Sequence, residues 1–93
     1  MENVKIQNMK ASNGNKAANQ FEIFAENGKY FQSYQTVIAF IPYKSNEKIK
    51  LDSEAWDYSR TTGKYRNMFL RETKKETEAK IKSGEYELTD LNG

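Results

Sequence analysis

Trp56-Asp57-Tyr58-Ser59-Arg60-Thr61-Thr62-Gly63-Lys64-Tyr65-Arg66-Asn67-Met68-Phe69-Leu70-Arg71, continuing to Lys82 as E-T-K-K-E-T-E-A-K-I-K, is where the chain changes from a two-residue to a helical period. Ser59 has the side chain of a helix N-cap, and from Arg60 onward Tyr65, Met68 and Phe69 recur at spacings of three and four, which predicts an amphipathic helix. At about 100° per residue, Arg60, Lys64, Asn67 and Arg71 fall within about 60° of one another on a separate stripe. Gly63 weakens this helix by roughly 1 kcal/mol relative to Ala. Thr73-Lys74-Lys75-Glu76 has the form of a capping box, so a second helix is expected from about residue 74 to 82. Gly84 supplies its left-handed stop, and Ala79 and Ile81 are its apolar edge.

Towards the N-terminus the period is two. Val4 and Ile6 suggest a short strand over residues 3–9, and the polar run Lys10 to Asn19 reads as a loop or the boundary of an arm. Phe21 and Ile23 alternate with Gln20 and Glu22, which places the two apolar residues inward. Asn27-Gly28 is a hairpin signal of the type that needs positive φ at both positions. Thr36 to Ile41 (T-V-I-A-F-I) is apolar on both faces, marking a central strand that Pro42 ends. Ile49 and Leu51 face inward between Lys48 and Lys50, whose charges suit an edge strand. Beyond the helices, Tyr86 and Leu88 indicate a last short strand within 85–91. The expected fold class is therefore α+β: a small antiparallel β-meander of three to five strands packed against one or two C-terminal helices. Residues 1–93 form a single domain, with 1–19 a flexible arm or a short strand plus loop, 20–52 the meander and 59–83 the helical segment.

The 93 residues leave room for one core. Aliphatic residues are few, and the 12 aromatic side chains must supply much of the buried area. A core this small makes a homodimer, or a partner that completes it, a reasonable expectation. With no Cys and no His, thiol catalysis, thiolate metal sites, disulfides and the usual neutral-pH general base are excluded. There is no apolar run of membrane-spanning length, and no cofactor motif is present.

The formal charge of +2 is unevenly spread. Residues 1–58 are balanced, residues 59–82 carry eight Lys and Arg against three Glu, and residues 83–93 hold three acids and no base. From Tyr58 to Arg71 four cations stand without a carboxylate beside three aromatic rings. Basic groups on one helix face with an available aromatic ring are the pattern of a nucleic-acid contact, against the plain reading of a solvated helix face and core aromatics. Tyr58, next to Arg60 and outside the apolar stripe, is the ring best placed for stacking. Four phosphate contacts to duplex DNA from Arg60, Lys64, Arg66 and Arg71 would give a log K against log salt slope of about −3.6, so a fourfold rise in salt weakens binding roughly 150-fold.

Two stretches approach enzymatic motifs. Thr61-Thr62-Gly63-Lys64 resembles the end of a phosphate-binding loop, but the earlier Gly is missing and Tyr65 stands where a Ser or Thr is required after the Lys. Glu78-Ala79-Lys80, with Asp52 or Asp57 upstream, has the spacing of a metal-dependent nuclease. Its place in an exposed, charge-alternating helix favours pairing of Glu76 with Lys80 and Glu78 with Lys82 instead.

Tyr30-Phe31-Gln32-Ser33-Tyr34-Gln35-Thr36-Val37-Ile38-Ala39, together with W-D-Y-S-R-T-T-G-K-Y-R-N-M-F-L and E-T-K-K-E-T-E-A-K-I-K-S-G-E-Y, resembles a family of short proteins of bacteriophages and mobile elements, over about Asn19 to Leu91. That resemblance carries no activity or site residues; it implies expression in the cytoplasm of a bacterial host. The expected function is a non-enzymatic phage-type accessory protein. It would bind nucleic acid, or a host nucleoprotein or protein complex that handles nucleic acid, through Tyr58, Arg60, Lys64, Arg66, Asn67, Arg71, Lys74 and Lys75. Inhibition of a host defence system such as a CRISPR nuclease is one form of this. A self-associating structural or assembly protein is the alternative, and a metal-dependent nuclease is third. No metal, cofactor or membrane partner is expected.

Overall fold

The computed structural model describes residues 4–93, so the part of the first expected strand that falls on Asn3 lies outside the described residues. Six strands, β1 (Lys5–Lys10), β2 (Lys16–Phe24), β3 (Gly28–Ser33), β4 (Thr36–Pro42), β5 (Lys50–Asp52) and β6 (Glu87–Thr89), lie in sequence order in one sheet. Between β5 and β6 come the helices α1 (Arg60–Leu70) and α2 (Lys74–Ser83). The first five strands pair antiparallel, as expected, whereas β6 returns parallel to β5 after the two helices. The result is a small α+β domain with a mixed six-stranded sheet packed against two C-terminal helices. The antiparallel part has five strands, and β6 is the last short strand expected within 85–91.

Three local expectations change. The polar run after Lys10 turns within Ala11–Asn15 and then enters β2, because Ala17 packs with Met9 in the core and the ladder to β1 satisfies the backbone. The β2–β3 hairpin exists, closed by Ala25 N–H donating to the Gly28 carbonyl at 2.9 Å, but neither Asn27 nor Gly28 has positive φ. Gly28 is required for a different reason: a Cβ there would lie 2.4 Å from the Ile41 carbonyl oxygen and 2.6 Å from the Phe40 ring. β5 is no edge strand, since β6 covers the side that Lys48 and Lys50 were expected to guard.

The helices cover only one face of the sheet. Phe31 meets Phe69 of α1 with ring centroids 5.7 Å apart, and Met9, Ile38, Leu51, Tyr65 and Tyr86 join this core. Cross-strand partners share a face. Gln20, Glu22 and Phe24 pair with Ser33, Phe31 and Lys29 and so stand on the helix side. Phe21 and Ile23, expected inward, therefore occupy the opposite face with Ile6, Tyr30 and Phe40, while Gln20, expected outward, is only 1% exposed. Tyr30 and Phe40 stack at 4.5 Å on that second face. From Gln20 to Phe24, β2 obeys the two-residue period; both of its sides carry apolar groups, and the helices chose the other one.

The C-terminus is tied down by Asp52. Its two carboxylate oxygens accept from the backbone N–H groups of Glu54 and Ala55 and from Leu91 N–H and Asn92 Nδ2, while Asn92 also bonds Val37 in β4 through both its amide atoms.

Candidate functional site

α1 forms where expected. Ser59 Oγ accepts from Thr62 N–H at the N-cap, and Arg71 closes the helix in the left-handed region with φ 59°. The buried side of the helix is Thr62, Gly63, Tyr65, Arg66 and Phe69. Arg60 and Lys64 are exposed and Asn67 half-buried on the other side, so this part of the basic stripe is present. Met68, expected with the apolar residues, is 42% exposed and borders the stripe.

Arg66 departs most from expectation. It lies about 120° around the helix from the stripe and is 1% exposed, so it is no surface cation. Its guanidinium sits above the Trp56 ring at 5.2 Å and donates to the Trp56 carbonyl at 2.8 Å, to Asn67 Oδ1 at 3.0 Å and to Asp57 Oδ1 at 3.3 Å. A buried cation needs such partners. Lys74, at the start of α2, reaches the other oxygen of Asp57 at 2.7 Å. The hydrogen bond from Lys74 comes first and that from Arg66 second in holding the Asp57 carboxyl below its usual range, against the opposing effect of burial; the same contact raises Lys74.

These groups line one open depression of about 620 Å³: Arg60, Lys64, Arg66 and Lys74, with Asp57 as the sole acid among its lining residues. Asp57 is spent on two cations of its own chain, so the lining keeps a net charge of +3. Among the described residues Arg60, Lys64, Arg71 and Lys75 make no ion pair, and the first turn of α1 contains no acid to offset the positive end of the helix dipole. Arg71, the C-cap of α1, and Lys75 are exposed and lie outside the lining of the depression. Tyr58 is 72% exposed, two residues from Arg60.

α2 has its capping box, in which Thr73 N–H donates to Glu76 Oε1 while Thr73 Oγ1 accepts from Glu76 N–H, and Gly84 closes it with φ 84°. The expected Glu76–Lys80 pair is absent because Glu76 is used in the cap. Lys80 turns instead to Glu72 at 2.8 Å. Burial alone would raise the Glu72 carboxyl, but donors from Lys80, Thr77 and Tyr86 outweigh it and lower it; burial and the Glu72 contact together push Tyr86 to about 12. Of the two expected apolar contacts, Ile81 packs on the core and Ala79 is exposed, with Thr77 the buried residue of this helix. Asp52, Asp57 and Lys80 are thus each held by local partners. Among the described residues no three His, Cys, Asp or Glu side chains are placed to hold a metal ion, and no helix is long and apolar enough to cross a membrane.

Fold and site together define a small α+β domain with a basic depression where the turn before α1 meets the start of α2. The chain belongs to a family of unknown function (DUF8033), whose sequence model matches residues 4–86 and so spans all but the C-terminal end of the described domain. Neither the curated proteins nor the solved structures contain a match.

Proposed function

We propose that this domain is a non-enzymatic nucleic-acid-binding module that receives phosphates at Arg60 and Lys64, with Asn67 beside them and Lys74, Lys75 and Arg71 at the margin. Arg66 is a positioning residue: it anchors Trp56 and Asp57 to α1 and so shapes the depression without touching ligand. The observation that carries this reading is the depression itself, in which four cations surround one carboxylate that two of them already neutralise. With Arg66 withdrawn from the surface, Arg60, Lys64 and Arg71 give a duplex slope of about −2.7, so a fourfold rise in salt weakens binding about 40-fold. In the setting that the phage resemblance implies, the target would be nucleic acid held by a host complex. Fluorescence anisotropy with labelled oligonucleotides tests the reading. Arg60→Glu, Lys64→Glu and Arg71→Glu combined should abolish binding without lowering the melting temperature, and unchanged affinity would refute the site.

A second reading, self-association, is favoured by the sheet face opposite the helices. Ile6 is 62% exposed there, and Phe21, Ile23 and Tyr30 are only partly covered. The broad side of the domain, 35 × 35 Å, is large enough for the roughly 800 Å² per partner that a stable dimer buries, and a second copy would cover these rings face to face. Light scattering should then give a salt-insensitive dimer that Ile23→Lys dissociates; a monomer at all concentrations removes this reading.

A further inference from the structure

We infer that the nucleic acid is taken as a single strand, whose bases stack on Tyr34 and Tyr58 while its phosphates run along Arg60 and Lys64; the inference rests on the nucleic-acid reading above. Tyr34 and Tyr58 are 53% and 72% exposed, and both line one depression of about 510 Å³. A ring left in water at two points of one hollow forgoes the burial that a core short of aliphatic side chains needs.

Tyr34 is also held in a costly conformation. It sits at the tip of the β3–β4 hairpin with φ 57°, in the left-handed region that Gly or Asn enters far more readily than a bulky ring does. The turn is fixed by Tyr34 N–H donating to the Asn19 carbonyl at 2.6 Å and by Gln32 Nε2 donating to the Tyr34 carbonyl at 2.8 Å. Asn19, with φ 64°, lines the same hollow, so two of the three non-glycine residues at positive φ among those described converge on it. The strain at Tyr34 points to a job for that exposed ring.

Charge sets the direction of the strand. Tyr58 also borders a neighbouring hollow that contains Asp52, Glu54 and Asp90, which repels phosphate, whereas two residues further along the chain Arg60 opens the basic depression. Bases on the tyrosines with the sugar–phosphate chain on the Arg60 side satisfy both. Duplex DNA keeps its bases inside the helix and cannot use the rings.

The test compares a labelled oligothymidine with a duplex of equal length by anisotropy over a range of salt. Wild-type protein should prefer the single strand. Tyr58→Ala, at a position too exposed to affect folding, should weaken oligothymidine binding by about 5-fold or more, and Tyr34→Ala likewise, while Tyr→Phe at either position retains it. The salt slope should be unchanged in all four variants, because no cation is removed. If Tyr58→Ala and Tyr34→Ala bind as wild type while Arg60→Glu with Lys64→Glu does not bind, or if the duplex binds as tightly as the single strand, this inference falls and the nucleic-acid reading stands. If wild-type protein binds neither probe, both fall.

Discussion

Removing Asp57 should weaken the fold and tighten the binding, an unusual pairing that follows from the double use of one carboxylate. In Asp57→Ala the buried Arg66 keeps its bonds to the Trp56 carbonyl and Asn67 but loses the 3.3 Å acceptor. A hydrogen bond to a charged group is worth about 1.5–3 kcal/mol. Asp57 is 36% exposed, so water screens part of that contribution and about 1.5 kcal/mol is the expected loss. For a domain of this size that lowers the melting temperature by about 6–12 °C and leaves the chain folded. Lys74 is released at the same time, and the net charge of the depression rises from +3 to +4. One more single-strand phosphate contact changes the salt slope by about −0.7, equivalent to about eightfold tighter binding at 0.05 M salt and threefold at 0.2 M, if the added contact is purely electrostatic. Asp57→Asn, which keeps an acceptor but not the charge, should give the same gain in binding with a smaller loss of stability. Thermal denaturation by circular dichroism and anisotropy titrations at the two salt concentrations measure both halves. The pH dependence follows the same pair. Asp57 titrates below its usual range when folded, so its contribution is complete above about pH 4 and is lost as pH falls through the lowered value. Wild type and Asp57→Ala should therefore converge in stability in acid. A folded Asp57→Ala protein that binds more weakly than wild type, or with an unchanged slope, would refute the assignment of this depression.

Other substitutions separate packing from chemistry. Gly28→Ala should cost about 3 kcal/mol or prevent folding, since its Cβ meets backbone 2.4 Å away, whereas Gly63→Ala, whose Cβ would make only ordinary contacts at 3.7 Å, should stabilise α1 by up to about 1 kcal/mol; chemical denaturation distinguishes the two. Asp52→Ala strands four donors and should cost about 3 kcal/mol, with faster carboxypeptidase trimming of residues 91–93 as the local readout. Burial pushes Asp52 up, but those four donors outweigh it and hold it below its usual range, so this contribution too is lost on acidification and not in base. In alkali, Tyr86 should ionise near pH 12 in a titration followed by ultraviolet absorbance. Because the unfolded Tyr86 loses its proton near ~10, stability should fall between these values, and Glu72→Gln should bring the late titration down.

What the sequence by itself determined is what neighbouring residues settle among themselves. The Ser59 cap, the Thr73–Glu76 box and the Gly84 stop each satisfy backbone groups within one helical turn, and Pro42 ends β4 because it lacks an N–H. The α+β class and the basic side of α1 at Arg60, Lys64 and Asn67 were legible for the same reason, as was the exposure of Tyr58. Only the tertiary structure decided which side of the sheet the helices would cover. Phe21 and Ile23 alternate with Gln20 as a half-buried strand should, but the pleat is symmetrical, and both sides of this sheet carry apolar groups. Arg66 shows the same division within the site. A helical wheel places it near the buried side, yet its burial depends on Asp57 and the Trp56 carbonyl arriving from the preceding turn. The hollow shared by Tyr34 and Tyr58 joins a hairpin tip to a turn more than twenty residues later, and the parallel docking of β6 on β5 closes a still longer loop. Contacts of that range are fixed when the chain packs, because their free energy depends on partners that no local window of sequence contains.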